Sequence, residues 1–142
     1  MAAPMRSLYL SAPIRLQDLP GTEEDVAASY RAAYAGVVLL CEQDGWQVHH
    51  SREAGDRAEG WLRGSDAFVA LRFAGVKTAL MAGWELMNAV GKAPSGQDRA
   101  ALVFKLEPTE EFDEYWLGKL GATGVVGDPQ KLLEHLEHVL RA

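Results

Sequence analysis

Asp66-Ala67-Phe68-Val69-Ala70-Leu71 decides how this chain folds. The run is apolar at both alternating sets of positions, Ala67, Val69 and Leu71 on one side and Phe68 and Ala70 on the other. A strand with no side for water belongs in the middle of a parallel sheet, because the crossover connections that parallel strands require cover both faces. The rest of the chain must therefore supply parallel neighbours and helices for two layers.

Toward the N-terminus, Trp46-Gln47-Val48-His49-His50 reads as a second strand and Asp56 to Gly64 as a short helix carrying Trp61 and Leu62. A long helix precedes that strand. Val26, Tyr30, Ala33, Val37, Leu40 and Cys41 repeat at helical spacing behind Thr22-Glu23-Glu24-Asp25, a possible N-cap with acids in the first turn, and the pattern ends near Gln43-Asp44-Gly45. Ser7-Leu8-Tyr9-Leu10-Ser11 is a β-rich run closed by Pro13, the first strand. Toward the C-terminus comes a helix over Ala79 to Val90, then a turn at Ala93 to Asp98, then the apolar strand Ala100 to Leu106, ended by Pro108. The acidic run Glu107 to Glu114 leads into Tyr115-Trp116-Leu117, a short helix or ordered loop, and Thr123 to Val126 forms a brief last strand. Asp128-Pro129 starts the final helix, with Leu132, Leu133, Leu136, Val139 and Leu140 on one face. There is no internal repeat and no low-complexity segment. This alternation predicts an α/β fold in one domain, residues 1–142: a doubly wound parallel five-stranded sheet of flavodoxin-like order 2-1-3-4-5, with helices on both faces.

Composition narrows the function. A chain of 142 residues with 48% hydrophobic content is the size of a single compact domain with a real core. The net charge is −6, and the 14 Lys and Arg are scattered among 20 acidic residues, so there is no basic stripe to neutralise a polyphosphate backbone. Polymeric nucleic acid is not an expected partner; a single nucleotide remains open. Cys41 is the only cysteine and lies in the apolar stretch Ala35 to Cys41, which predicts a buried, inert thiol, no thiolate metal cluster, and a reducing cytoplasmic setting. No stretch approaches the ~18 apolar residues that span a bilayer, and the N-terminus has no apolar targeting segment, so no membrane partner is expected.

Glu85 is a lone carboxylate in the apolar run Ala79 to Val90. Facing a cleft, it is a candidate catalytic nucleophile; alternatively Thr78, Glu85, Asn88 and Lys92, which recur at helical spacing, form the wet stripe of a surface helix. The predicted strand order bears on this choice. Connections leave strands one and three in opposite directions and open a crevice at their carboxyl ends, flanked by Ser11-Ala12-Pro13-Ile14-Arg15 and by Arg72 to Ala82 with the ensuing helix. Arg15 and Glu85 are thereby expected in one site. His49 or His50, at the same sheet edge, offers an acid or base, or else a structural imidazole. Trp84 and Phe73 either stack a base or pack the core, whereas Trp46, Trp61 and Trp116 read as packing or interface residues. His135 and His138 lie three apart beside Glu134 and Glu137 without an indicated third ligand, so a solvated face and no metal site are expected. There is no P-loop, dinucleotide fingerprint or nucleophile elbow.

Three segments in this order, Tyr9-Leu10-Ser11-Ala12-Pro13-Ile14-Arg15, Trp61 to Ala70, and Gly83-Trp84-Glu85-Leu86, together resemble the nucleoside 2-deoxyribosyltransferase family, and within it the 2′-deoxynucleoside 5′-phosphate N-hydrolases. The resemblance covers residues 1–92, the remainder agreeing in outline. It implies that Glu85 attacks C1′ of the sugar and expels the base, that Tyr9 orients this carboxylate, and that Ser11, Ile14 and Arg15 cradle a 5′-phosphate. Thr78 is the hydroxyl nearest to where the family has a serine, Asn88 joins the substrate-binding set, and Met87 stands where the family has a small residue. The family's leaving-group aspartate has Ala58 at its position; the neighbouring Asp56 and Glu59 either take the acid/base role through a shift of local register or are solvated helix acids. No cofactor is implied. A homodimer or larger oligomer is, with sites completed by a neighbouring subunit and Tyr115 and Trp116 near an interface. The expected function is thus cleavage of the base–sugar bond of a nucleoside 5′-monophosphate. The alternatives are a non-catalytic nucleotide-binding or assembly protein that has lost the acid, and a protein holding another small phosphate-containing ligand in the same crevice.

Overall fold

The structure, a computed structural model, describes residues 5–11, 24–71, 91, 93, 94, 96, 99–105 and 121–141. In chain order these form β1 (Ser7–Ser11), α1 (Glu24–Gln43), β2 (Gln47–His50), α2 (Ser51–Ala54), a 3-10 turn (Gly55–Arg57), α3 (Ala58–Gly64), β3 (Ala67–Leu71), β4 (Ala100–Lys105), β5 (Thr123–Val126) and α4 (Pro129–Arg141). All five strands are parallel and lie in the order β2-β1-β3-β4-β5. β3 is central and buried along its whole length, as its two-sided apolar sequence demands.

The alternation of side chains splits the core into two layers. Leu8, Leu10, Val69, Leu71, Leu102 and Phe104 point to one face, where Tyr30, Ala33, Val37 and Cys41 of α1 and Leu132, Leu136 and Leu140 of α4 cover them. These two helices approach closely at Gly36, where an added Cβ would stand 2.9 Å from both Leu133 methyl carbons. The second layer is thinner: Tyr9, Phe68, Ala70, Ala101 and Val103 pack with Leu62 of α3, and Trp61 flanks them.

Two boundaries differ from the sequence reading. The second strand begins at Gln47, not Trp46, because the Trp46 N–H is held by the Cys41 carbonyl of α1 at 2.8 Å and its indole packs into the core. The helix expected over Asp56 to Gly64 is preceded by α2, which leaves β2 directly; Asp56 lies in the 3-10 turn, and the α-helix starts at Ala58. The break is at Gly55, whose φ of +55° is open to glycine and strained for other residues. The Thr22 cap, the helix carrying Glu85, and Glu107 to Glu114 with Tyr115 and Trp116 lie outside the described residues.

At the amino end of the sheet a polar clamp fixes α3. The guanidinium of Arg99, only 6% exposed, donates from Nε to the Ser65 carbonyl and from Nη2 to the Arg63 carbonyl, both at 2.8 Å. The Ser65 hydroxyl donates to the Trp61 carbonyl at 2.5 Å, so carbonyls that a helix end leaves unsatisfied are covered by side chains. Beside the clamp, Asp66 Oδ2 accepts from the Ser7 N–H at 2.9 Å and ties the starts of β1 and β3 together. Among the described residues no helix is long and apolar enough to cross a membrane.

Candidate functional site

β1 and β3 are neighbours, with Ser11 opposite Ala70 in the register. From β1 the chain continues through α1 to the β2 side, and from β3 it continues to β4 on the other side. The carboxyl ends of these two strands are therefore the point where the connections diverge, the position at which open α/β sheets form a crevice. Ser11 ends β1 and is buried; Tyr9 lies one alternation earlier on the same face, fully buried, its ring stacked on Phe68 at 6.1 Å with 17° between planes. Tyr9 and Ser11 are thus brought together on one strand and one face.

The β2 edge adds polar aromatic groups. His49 is the register partner of Tyr9 and shares its face, while His50, paired with Leu10, points to the opposite layer. The His49 ring stacks on Trp61 at 4.7 Å and 25°, and the Arg57 guanidinium lies over the same indole at 4.7 Å. Arg57 is also held by the end of α2, donating to the Glu53 carbonyl at 2.9 Å and to the Ala54 carbonyl at 3.4 Å. Burial, and then the neighbouring His50, pushes the His49 imidazolium below the ordinary histidine range. On the other face the His50 ring stacks on Tyr34 at 5.6 Å, and the Tyr34 hydroxyl and His50 Nδ1 are hydrogen-bonded.

Both candidate acids belong to the segment between β2 and β3, and both are exposed. Asp56 sits in the 3-10 turn. Glu59, in the first turn of α3, is paired through Oε1 with Arg63 Nη2 at 2.7 Å, one helical turn away. Ala58, at the expected acid position, starts α3 and is half-buried. Glu85, Ile14, Arg15, Thr78 and Asn88, together with Phe73 and Trp84, lie outside the described residues.

Cys41 is buried on α1, and its thiol is pushed up to about 12 by burial and then by Asp44 and Glu42. Among the described residues, no group of three or more His, Cys, Asp or Glu could hold a metal ion, and His135 and His138 are exposed on α4. Sequence reasoning gives Trp61 as a packing or interface residue and misses its two polar partners. The available signal was the i,i+4 spacing of Arg57 and Trp61 on consecutive helical turns, which puts a cation beside an indole. No protein-family model matches the chain, and no curated protein matches it at a significant level.

Proposed function

We propose that this protein is an N-glycosidase or deoxyribosyltransferase of nucleoside 5′-monophosphates, acting in the cytoplasm as a homodimer or larger oligomer. The observation that carries the reading is the strand order: the segments bearing Arg15 and Glu85 set out from the adjacent carboxyl ends of β1 and β3. That order supports one crevice shared by a cation suited to phosphate and a carboxylate suited to an oxocarbenium-like carbon. The family resemblance supplies the roles. Glu85 attacks C1′, the bond to the base breaks, and water or a second base resolves the glycosyl ester. Tyr9 orients Glu85, Asp56 or Glu59 serves the departing base, and Ser11, Ile14 and Arg15 hold the phosphate, with Thr78 and Asn88 in the same substrate- or phosphate-binding set.

The test is release of free base from a panel of nucleosides and 5′-monophosphates, with Glu85→Ala alongside. Release from a monophosphate that the variant lacks is the expected result. Absence of release from every member, or equal release by Glu85→Ala, would overturn the enzymatic reading. A second reading, a nucleotide-binding protein of the same fold, is favoured by Ala58 at the acid position and by the engagement of Glu59 with Arg63. It predicts saturable binding of a nucleoside monophosphate, weakened by Arg15→Ala, with no base released.

A further inference from the structure

We infer that the His49–Trp61–Arg57 stack is an acid-released latch, which fastens residues 51–64 to the edge strand β2 while His49 is neutral and loosens when His49 takes a proton. The segment leaves the sheet at His50 and returns to it at β3. Its return end is secured by Leu62 in the core and by the Arg99 clamp on the Arg63 and Ser65 carbonyls. Its outgoing half is held less firmly: Ala54 is buried, but Glu53, Gly55, Asp56, Arg57, Glu59 and Gly60 are exposed. The stack spans this half. It joins β2 through His49, α3 through Trp61, and the end of α2 through the two carbonyls that Arg57 holds.

Protonation changes the balance of that contact. A proton on His49 places a charge on a ring that the stack holds partly out of water and next to His50, against an indole whose ring already carries the Arg57 guanidinium. Among the described side chains of the packed elements, the other ionisable groups are the Tyr9 phenol across the strand pair and, on residues 51–64, the exposed carboxylates of Glu53, Asp56 and Glu59 and the Arg63 that pairs with Glu59. The sign follows from linkage. His49 titrates lower in the folded chain than the ordinary ~6.5, so the opened or unfolded segment takes up the proton first. The contact is at full strength above that pH and is lost as pH falls from ~6.5 toward the folded value. Because Asp56 and Glu59 ride on this segment, release also moves the candidate acids relative to Tyr9; this one consequence rests on the function proposed above.

The test is hydrogen exchange of the full chain at pH 7.5 and pH 5.5, corrected for intrinsic rates and read on peptides covering residues 51–64. One proton changes a local opening constant by up to ~10-fold per pH unit, so protection of this segment should fall at pH 5.5, by no more than about 10-fold, while β1 and β3 stay unchanged. His49→Phe keeps a ring on Trp61 and cannot take a proton; its protection should be equal at both pH values. His49→Gln removes the stack and should exchange at pH 7.5 as the unaltered chain does at pH 5.5. An unchanged segment in the unaltered chain, or the same acid loss in His49→Phe, would overturn the latch. Exchange is read without substrate, so a protein that releases no base yet loses protection in acid refutes the proposed reaction and leaves the latch standing.

Discussion

Replacing Arg99 with methionine isolates what the buried clamp contributes. The side chain keeps a comparable apolar stem and loses two charge-assisted hydrogen bonds, both 2.8 Å long, to the Ser65 and Arg63 carbonyls. Those carbonyls close the end of α3, and Arg99 itself is 6% exposed, so water has little access to replace the guanidinium. An unsatisfied buried acceptor costs ~1–3 kcal/mol; the buried Ser65 carbonyl and the part-buried Arg63 carbonyl together, less the desolvation of the cation that is no longer buried, give a net loss of ~2–4 kcal/mol. For a chain of 142 residues this corresponds to a fall in Tm of roughly 6–14 °C. Urea unfolding followed by far-UV circular dichroism at pH 7.5 measures the loss directly, with the slope against denaturant checked for constancy. Arg99→Lys serves as the graded control, because one ammonium cannot reproduce the fork that reaches both carbonyls, and it should fall between the two. A loss below about 0.5 kcal/mol for Arg99→Met would refute the reasoning, since it would mean that these acceptors are satisfied without the cation.

Two further outcomes test the helical layer. Cys41 is fully buried and its thiol is raised to about 12, so it should not react with a thiol reagent at pH 8 in the native chain and should react at once in 6 M guanidinium; native reactivity at the rate of a free thiol would contradict its placement. Gly36→Val inserts a branched side chain where a Cβ alone would stand 2.9 Å from Leu133, and overpacking of this kind should cost ~1–3 kcal/mol by urea unfolding. Leu133→Ala in the same chain should recover part of that loss, and purely additive effects would show that the two sites do not meet.

The sheet order was legible because burial leaves a direct mark on a strand. Ala67 to Leu71 is apolar at every position and is central; Gln47 to His50 carries polar residues and is an edge strand. The amphipathic stripes of α1 and α4 were equally plain, since a 3.6-residue period is a property of consecutive residues. α2 was not legible, because Ser51-Arg52-Glu53-Ala54 is a single turn, too short to express any period, and its limit at Gly55 depends on one dihedral angle. Tyr9 and Ser11 were legible as residues of the first strand, because the β-rich run Ser7 to Ser11 marks it locally. The partnership of His49 with Trp61 was not readable, because no local pattern links a strand residue to a helix residue beyond a turn of another helix.

Arg99 marks the same limit most sharply. In the sequence it follows the turn residues Gly96-Gln97-Asp98 and looks like any exposed cation; in the fold it is buried against carbonyls of residues 63 and 65. The sequence by itself determined the class of this protein, a parallel α/β sheet with β3 at its centre, because hydrophobic periodicity is written in neighbouring residues and decides which faces leave water. Only the tertiary structure decided which polar groups meet, because a hydrogen bond or a stacked ring requires ångström-level placement between elements far apart in the chain. That placement is set by the packing of the whole sheet and its helices.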